Sequence, residues 1–157
     1  MGELFITLLL VALALLLVSA GIQDARTREI ANWKNAAIAV MAPLWWWANG
    51  LALWPDVAMQ LGVAALVFAF FIGAFALGQM GGGDVKMIGA LALWLPVMPL
   101  VWMLVLMSLI GGVLTLIMLI DKKWRRKTGD PVEIPYGVAI AIAALLVLRE
   151  PIFNQFG

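Results

Sequence analysis

Uncharged apolar runs dominate this sequence of 157 residues and restrict what it can fold into. Residues 4–22 carry no charge, and residues 87–120 form a second uncharged run of 34 positions. A helix needs about 20 apolar residues to cross a bilayer, where every backbone polar group must be paired. With 65% hydrophobic and 12% charged residues, the chain is expected to be an all-α membrane protein. One integral-membrane domain is expected over residues 1–157.

About six transmembrane helices are expected. The run at 87–120 is too long for one span, and Pro96 and Pro99 divide it into a short helix and a longer one. The predicted helices cover residues 4–22, 36–54, 57–78, 85–95, 100–120 and 135–148.

The basic residues predict how this bundle is oriented. With six helices, the first, third and fifth connecting loops share one face of the membrane. Those loops hold nine of the ten basic residues: Arg26, Arg28, Lys34, Lys86, Lys122, Lys123, Arg125, Arg126 and Lys127. Because Lys and Arg are enriched in cytoplasmic loops, this face is expected to be cytoplasmic and both termini periplasmic.

Two missing residue types narrow the possible chemistry. The chain has no cysteine and no histidine. Their absence excludes disulfides, thiol nucleophiles, Ser-His and Cys-His catalysis, and the zinc sites built on these side chains. A net charge of only +1 gives no indication of nucleic-acid binding. If the chain is an enzyme, carboxylates are its expected reactive groups, and no metal or cofactor is expected.

Two aspartates are expected at the same membrane depth. Asp24 follows the first helix, and Asp84 begins the fourth within "GGGDVK", both on the predicted cytoplasmic face. Two facing carboxylates hold one proton between them, so that one activates water while the other donates to a peptide carbonyl. Gly81, Gly82 and Gly83 would let an extended substrate backbone lie beside Asp84. The pattern predicts aspartyl proteolysis at the membrane edge.

Three motifs resemble one known family. "GGGD" matches the G-x-G-D signature of intramembrane aspartyl proteases, "DARTREIAN" follows the first helix, and "IPYGVAIA" stands at the start of the last. In motif order and spacing, nearly the whole chain resembles the type IV prepilin peptidases.

The resemblance implies an activity and partners. It implies that Asp24 and Asp84 are the catalytic pair, and that they remove the basic leader of a prepilin just before its apolar helix. The site would face the cytoplasm from the bacterial inner membrane, with the prepilin and membrane lipid as partners and no nucleic acid. Larger relatives carry a cysteine-containing loop after helix 1 and also N-methylate the new terminus. This chain lacks that loop and is more similar to the small peptidases of tight-adherence (Flp) pilus systems, which argues against methyltransferase activity.

Simpler roles are open for the same residues. Asp84 could serve only as an N-cap of its helix, and Asp24 only as a helix-end charge paired with Arg26 or Arg28. Lys86 is compatible with steering the substrate or tuning the aspartates. It is equally compatible with being one more cytoplasmic charge.

Two other functions also fit part of the pattern. A channel or transporter subunit would use the two aspartates as a cation site, because oxygen ligands suit hard cations. A related protease would cut archaeal preflagellins or remnants of signal peptides. Asparagine at either position separates the first from proteolysis, since an amide oxygen could still bind a cation but could not catalyse hydrolysis.

Overall fold

The structure is a computed structural model that describes residues 2–124 and 134–153, with side chains described up to residue 149. Within those residues the chain forms six α-helices and no strand, which confirms the all-α class. A kinked turn at Leu53–Val57 leads into the third helix. The helices are α1 (Gly2–Thr27), α2 (Asn32–Ala48), α3 (Ala58–Ala76), α4 (Gly82–Ala92), α5 (Val97–Trp124) and α6 (Tyr136–Phe153).

Helix length and composition indicate a membrane protein. Three segments are long and apolar enough to cross a bilayer: Gly2–Thr27, Leu53–Ala76 and Val97–Trp124. α6 contributes a shorter apolar segment, Tyr136–Arg149. α4 has only 11 residues and extends about 16 Å, roughly half the thickness of the hydrocarbon core.

The polar ends of the first two helices differ from the prediction. α1 continues five residues beyond the predicted end at residue 22, as far as Thr27, and α2 begins at Asn32 rather than at residue 36. Helical hydrogen bonding does not depend on apolar side chains, so hydropathy marks membrane depth and not the end of a helix. Only residues 28–31 connect α1 and α2, and Asp24 lies inside α1.

Lys34 corrects one detail of the charge analysis. It was expected in the first cytoplasmic loop, but it lies in the first turn of α2 and its side chain is buried. Its ammonium donates to the backbone oxygen of Ser19 at 2.9 Å and to the hydroxyl of Ser19 at 2.7 Å. The residue therefore joins α2 to α1. Three other basic residues of that analysis, Arg125, Arg126 and Lys127, lie outside the described residues.

α4 occupies a central place among the helices. It packs against α2, α3 and α6, while α1 packs against α2 and α6, and α5 packs against α6. Seven of its 11 residues are buried, including Asp84. The packing brings the start of α4 to the same end of the bundle as the end of α1 and the start of α6.

The other end of α4 stops inside the bundle, where its free carbonyl groups need partners. Gln60 of α3 donates through Nε2 to the oxygens of Ala92 at 2.7 Å and Leu95 at 2.6 Å. Trp46 of α2 donates through Nε1 to the oxygen of Leu93 at 2.8 Å. Side chains of the two neighbouring helices therefore take the place of the water that would solvate an exposed helix end.

Candidate active site

Asp24 is buried near the end of α1, against the start of α6. Its side chain is 4% exposed, and its Oδ2 accepts a hydrogen bond from the backbone N–H of Val138 at 3.2 Å. A Cβ atom placed on Gly137 would lie 2.8 Å from Cγ of Asp24, closer than real contacts allow. Because Gly137 has no side chain, the Asp24 carboxylate can lie against the start of α6.

Asp84 is the third residue of α4 and is 8% exposed. The residue at the N-cap is Gly81, so the interpretation of Asp84 as an N-cap is wrong in position. The Asp84 carboxylate instead reaches back to the N–H of Gly81, as the acidic residue of a capping box does. Asp84 therefore stabilises the start of its helix while its carboxylate faces the site.

The two aspartates line one pocket of about 280 Å³ at the shared end of α1 and α4. The pocket is also lined by the three glycines before Asp84 and by Arg28. Asp84 lies outside the three candidate spans. Burial, and after it the negative charge of Asp24, raise the pKa of the Asp84 carboxyl to about 7, against the opposing hydrogen bond from Gly81. Near neutral pH the Asp84 carboxyl can therefore carry a proton beside the Asp24 carboxyl, and such a pair can act as an acid and a base.

Each of the three glycines faces a different neighbour. A Cβ at Gly81 would lie 3.0 Å from Oδ2 of Asp84, and one at Gly82 would lie 3.4 Å from the Phe75 ring. A Cβ at Gly83 would lie 3.3 Å from Cβ of Ile30. The run "GGGD" therefore makes room for residues of the chain itself and also leaves the pocket wall without side chains.

Lys86 is exposed and lies beside a different cavity. Its ammonium donates to Oδ1 of Asn32 at 2.8 Å, and the residue is not part of the lining of the aspartate pocket. Asn32 lines both cavities. Among the predicted site residues, the structure brings Asp24, Asp84 and the three glycines together in one pocket. Lys86 lies outside that pocket and contacts one of its lining residues, Asn32.

The backbone at Arg28 turns the chain between α1 and α2. Its φ of 58° lies in the left-handed region, which most side chains avoid, and its N–H donates to the oxygen of Asp24 at 2.9 Å. The guanidinium lies close enough to Asp24 for their opposite charges to interact. Within the described residues, no three carboxylates come close enough together to hold a metal ion.

Comparison with known proteins adds the family. The sequence profile of the type IV leader peptidase family matches residues 10–116, which include both aspartates. The chain belongs to this family. Membership makes it a peptidase, a hydrolase that acts on a protein substrate. Searches of curated proteins and of solved structures found no match.

This leader peptidase positions its aspartates with residues that sequence analysis did not single out. Ile30, in the linker after α1, is buried between two glycines: Gly83 of α4, as described above, and Gly137 of α6, where a Cβ would lie 2.8 Å from Ile30 Cδ1. The signal for Gly137 was present in "IPYGVAIA", although its proximity to Asp24 was not.

Asn35 is a second residue that the sequence analysis of this peptidase missed. It is 4% exposed, and its Nδ2 donates to the backbone oxygen of Gly83 at 3.0 Å. The bond ties α2 to the glycine run directly before Asp84. A signal was available, because an amide three residues after Asn32 repeats at helical spacing at the start of an apolar segment.

Proposed function

We propose that this peptidase is an aspartyl endopeptidase that removes the leader of Flp-type prepilins, with Asp24 and Asp84 as its catalytic pair. The observation that carries the proposal is the placement of two buried carboxylates in one pocket, where the pKa of Asp84 is raised to about 7. Structural ion pairs usually bring opposite charges together. Two like charges in one buried site raise the energy of the fold and are typical of acid–base catalysis.

The reaction needs one ionised and one protonated carboxyl. The ionised group takes a proton from water as the water oxygen attacks the carbonyl carbon, and the other group gives its proton to the carbonyl oxygen. In the resulting diol, one hydroxyl returns a proton to the pair. The first carboxyl passes its proton to the leaving nitrogen as the C–N bond breaks. The pair is then again singly protonated, and the products are a carboxylic acid and an amine.

The substrate must lose helical structure at the cleavage point. In a helix each carbonyl oxygen is hydrogen-bonded and the carbonyl carbon is shielded by the surrounding turns. The pocket is lined by glycines on the Asp84 side, which leaves space for an extended segment. We propose that Gly81, Gly82 and Gly83 accommodate this segment, and that Lys86 contacts the substrate further along its chain.

We further propose that the six helices form one integral-membrane domain in the bacterial inner membrane, with both termini periplasmic. The aspartate pocket then opens at the cytoplasmic face, where the leader of a newly made prepilin is located. The distribution of basic residues supports this orientation. α4 by itself covers about half of the hydrocarbon thickness, whereas α5, with 28 residues, is long enough to cross all of it.

Labelling of single cysteines would test this orientation, and the natural absence of cysteine makes each introduced thiol unique. Leu53 and Gln79 are both exposed, at opposite ends of α3 and its preceding turn. In intact cells, Leu53→Cys should react with a membrane-impermeant maleimide. Gln79→Cys should react only after the membrane is permeabilised. The reverse pattern would place the aspartates on the periplasmic side.

Leader removal from a co-expressed Flp-type prepilin, followed as a gel shift, tests the activity. Wild type should cleave, whereas Asp24→Asn and Asp84→Asn at matched membrane levels should not, because an amide neither accepts nor supplies the catalytic proton. Asp56→Asn is the matched control, since Asp56 is exposed and accepts a hydrogen bond from Ala52 N–H that an amide oxygen can keep. Cleavage by both site variants would refute the aspartyl mechanism. An inactive wild type would refute the choice of substrate.

A further inference from the structure

Asp84 lies in a helical turn that is weak by composition. Gly82 and Gly83 are the first two residues of α4, directly before it. Glycine loses more conformational freedom on ordering than any other residue, and the first turn of a helix lacks part of its hydrogen bonds. The glycines that leave the pocket wall without side chains therefore also leave Asp84 on a turn that needs support from another element.

Two side chains of α2 hold this turn on either side of Asp84. Asn35 donates through Nδ2 to the backbone oxygen of Gly83 at 3.0 Å, directly before Asp84. Asn32, which is three residues earlier and on the same face of α2, accepts a hydrogen bond from the Lys86 ammonium at 2.8 Å. Lys86 is exposed, whereas Asn35 is 4% exposed. The bond from Asn35 is therefore the one that is shielded from competing water.

Asn35 carries a cost that its bond to Gly83 does not offset. Its Oδ1 is buried and accepts no hydrogen bond from any described residue. An unpaired buried acceptor is at least as unfavourable as one hydrogen bond is favourable. A leucine of similar shape would avoid this cost, and the Gly83 oxygen could still accept the N–H four residues further along α4. Stability of the fold therefore gives no reason for an asparagine at this position.

We propose that Asn35 is a positioning residue for the peptidase reaction, and that its bond to Gly83 keeps the Asp84 carboxyl in place beside Asp24. The proposal rests on the proposed function, in which these two carboxyls act as the catalytic pair. Asn35 is not part of the lining of the aspartate pocket, so it acts through the backbone of α4 and not on the substrate. Such support matters because a displacement of about 1 Å can slow a reaction by about a hundredfold.

Removal of the amide tests this role. Asn35→Leu keeps a branched side chain of similar length, and Asn35→Ala removes the donor without adding volume. Each should lower kcat for leader removal from a full-length Flp-type prepilin by about tenfold or more, with KM unchanged, because a misplaced carboxyl affects the reaction and not substrate binding. Asn49→Leu is the matched control. Asn49 also donates through Nδ2 to a backbone oxygen, that of Trp45 at 2.8 Å, but at the other end of α2, where it is exposed. This variant should cleave at the wild-type rate.

Two further measurements separate positioning from support of the fold. The unfolding midpoint of Asn35→Leu in detergent should equal or exceed that of wild type, because the unpaired acceptor is removed together with the donor. The alkaline limb of kcat/KM should move to lower pH by about half a unit or more. The reason is that a displaced Asp84 loses part of the burial and of the Asp24 charge that raise its pKa. Loss of folded protein alone would lower the rate without moving this limb.

Each outcome decides between these roles. Wild-type rates in both Asn35 variants would overturn the proposal. A rate that falls only in step with a lowered unfolding midpoint, at an unchanged pH profile, would also overturn it and would leave Asn35 as a support of the fold. An inactive wild type would overturn the proposed function, and this proposal with it, so the two failures are distinguishable.

Discussion

At the scale of single residues, Gly137 is the position where a methyl group should matter most. Its Cβ would lie 2.8 Å from Asp24 Cγ and 2.8 Å from Ile30 Cδ1. Gly137→Ala should therefore displace the Asp24 carboxylate and lower the cleavage rate by about a hundredfold, since misplacement by an ångström can cost that much. The measurement is leader removal at matched membrane levels.

Gly112→Ala is the control for this substitution, because a Cβ there would meet nothing within 4 Å. It should cleave prepilin as wild type does. Equal activity of Gly137→Ala and Gly112→Ala would show that a side chain at residue 137 does not displace Asp24, which would contradict the prediction from the short distances.

The pKa of Asp84 makes a prediction about pH dependence. With a pKa of about 7, raised by burial and by the charge of Asp24, Asp84 loses its proton just above neutral pH. Both members of the pair are then ionised, and no proton is available for the carbonyl oxygen. On the alkaline side, kcat/KM should fall by about tenfold per pH unit. A rate measured in detergent or vesicles that stays constant up to pH 9 would contradict the need for a proton on this pair of carboxyls.

At the scale of whole elements, the buried end of α4 depends on two neighbours. Gln60 supplies donors for two of its carbonyl groups, so Gln60→Met removes both bonds while nearly preserving shape. The unpaired carbonyls should lower the free energy of unfolding by about 1–3 kcal/mol. Thermal unfolding in detergent, followed by tryptophan fluorescence, would measure the loss.

Gln79→Met is the matched control for α4, because Gln79 is exposed in the connection between α3 and α4. Its unfolding midpoint should equal that of wild type. If Gln60→Met unfolds at the same temperature as Gln79→Met, lipid or water replaces the lost bonds. The end of α4 is then more accessible to its surroundings than the hydrogen bonds from its neighbours indicate.

At the scale of the whole molecule, ionisation of Asp84 at high pH should lower the free energy of unfolding. Its pKa is raised in the folded chain from the ordinary 3.8 to about 7, so the unfolded chain releases this proton at lower pH. The favourable contribution is complete below about pH 4 and is lost as pH rises through 7. Asparagine does not ionise, so Asp84→Asn should unfold at a higher temperature than wild type at pH 8, with a difference that shrinks toward pH 4.

Asp56→Asn, at an exposed carboxylate, is the comparison for that experiment. Its unfolding midpoint should not diverge progressively from wild type between pH 4 and 8. An Asp84→Asn variant less stable than wild type at pH 8 would mean that the capping bond to Gly81 outweighs the burial of charge.

The sequence predicted the helices well in number and poorly at their ends. Six apolar segments correspond to six helices in the described part of the chain, yet α1 reaches Thr27 and α2 starts at Asn32, where the hydropathy had already fallen. Side-chain hydropathy reports contact with lipid, whereas helix ends depend on where backbone hydrogen bonds lose their partners. The same difference explains Lys34. Its charge led to its prediction in a loop, but it lies in α2 and its long side chain donates hydrogen bonds to Ser19 of α1.

By itself, the sequence determined the all-helical membrane class, from the length of its uncharged runs, and the membership of a leader peptidase family, from Asp24, "GGGD" and their spacing. The catalytic role of the aspartates stays a prediction. Only the tertiary structure decided that both carboxylates share one pocket, that Gly137 lies against Asp24 from 113 positions away, and that Asn35 donates a hydrogen bond to the backbone of Gly83. The physical reason is that these helices are apolar on almost every side. Such a pattern shows that a helix is in lipid, but it does not specify which face meets which neighbour.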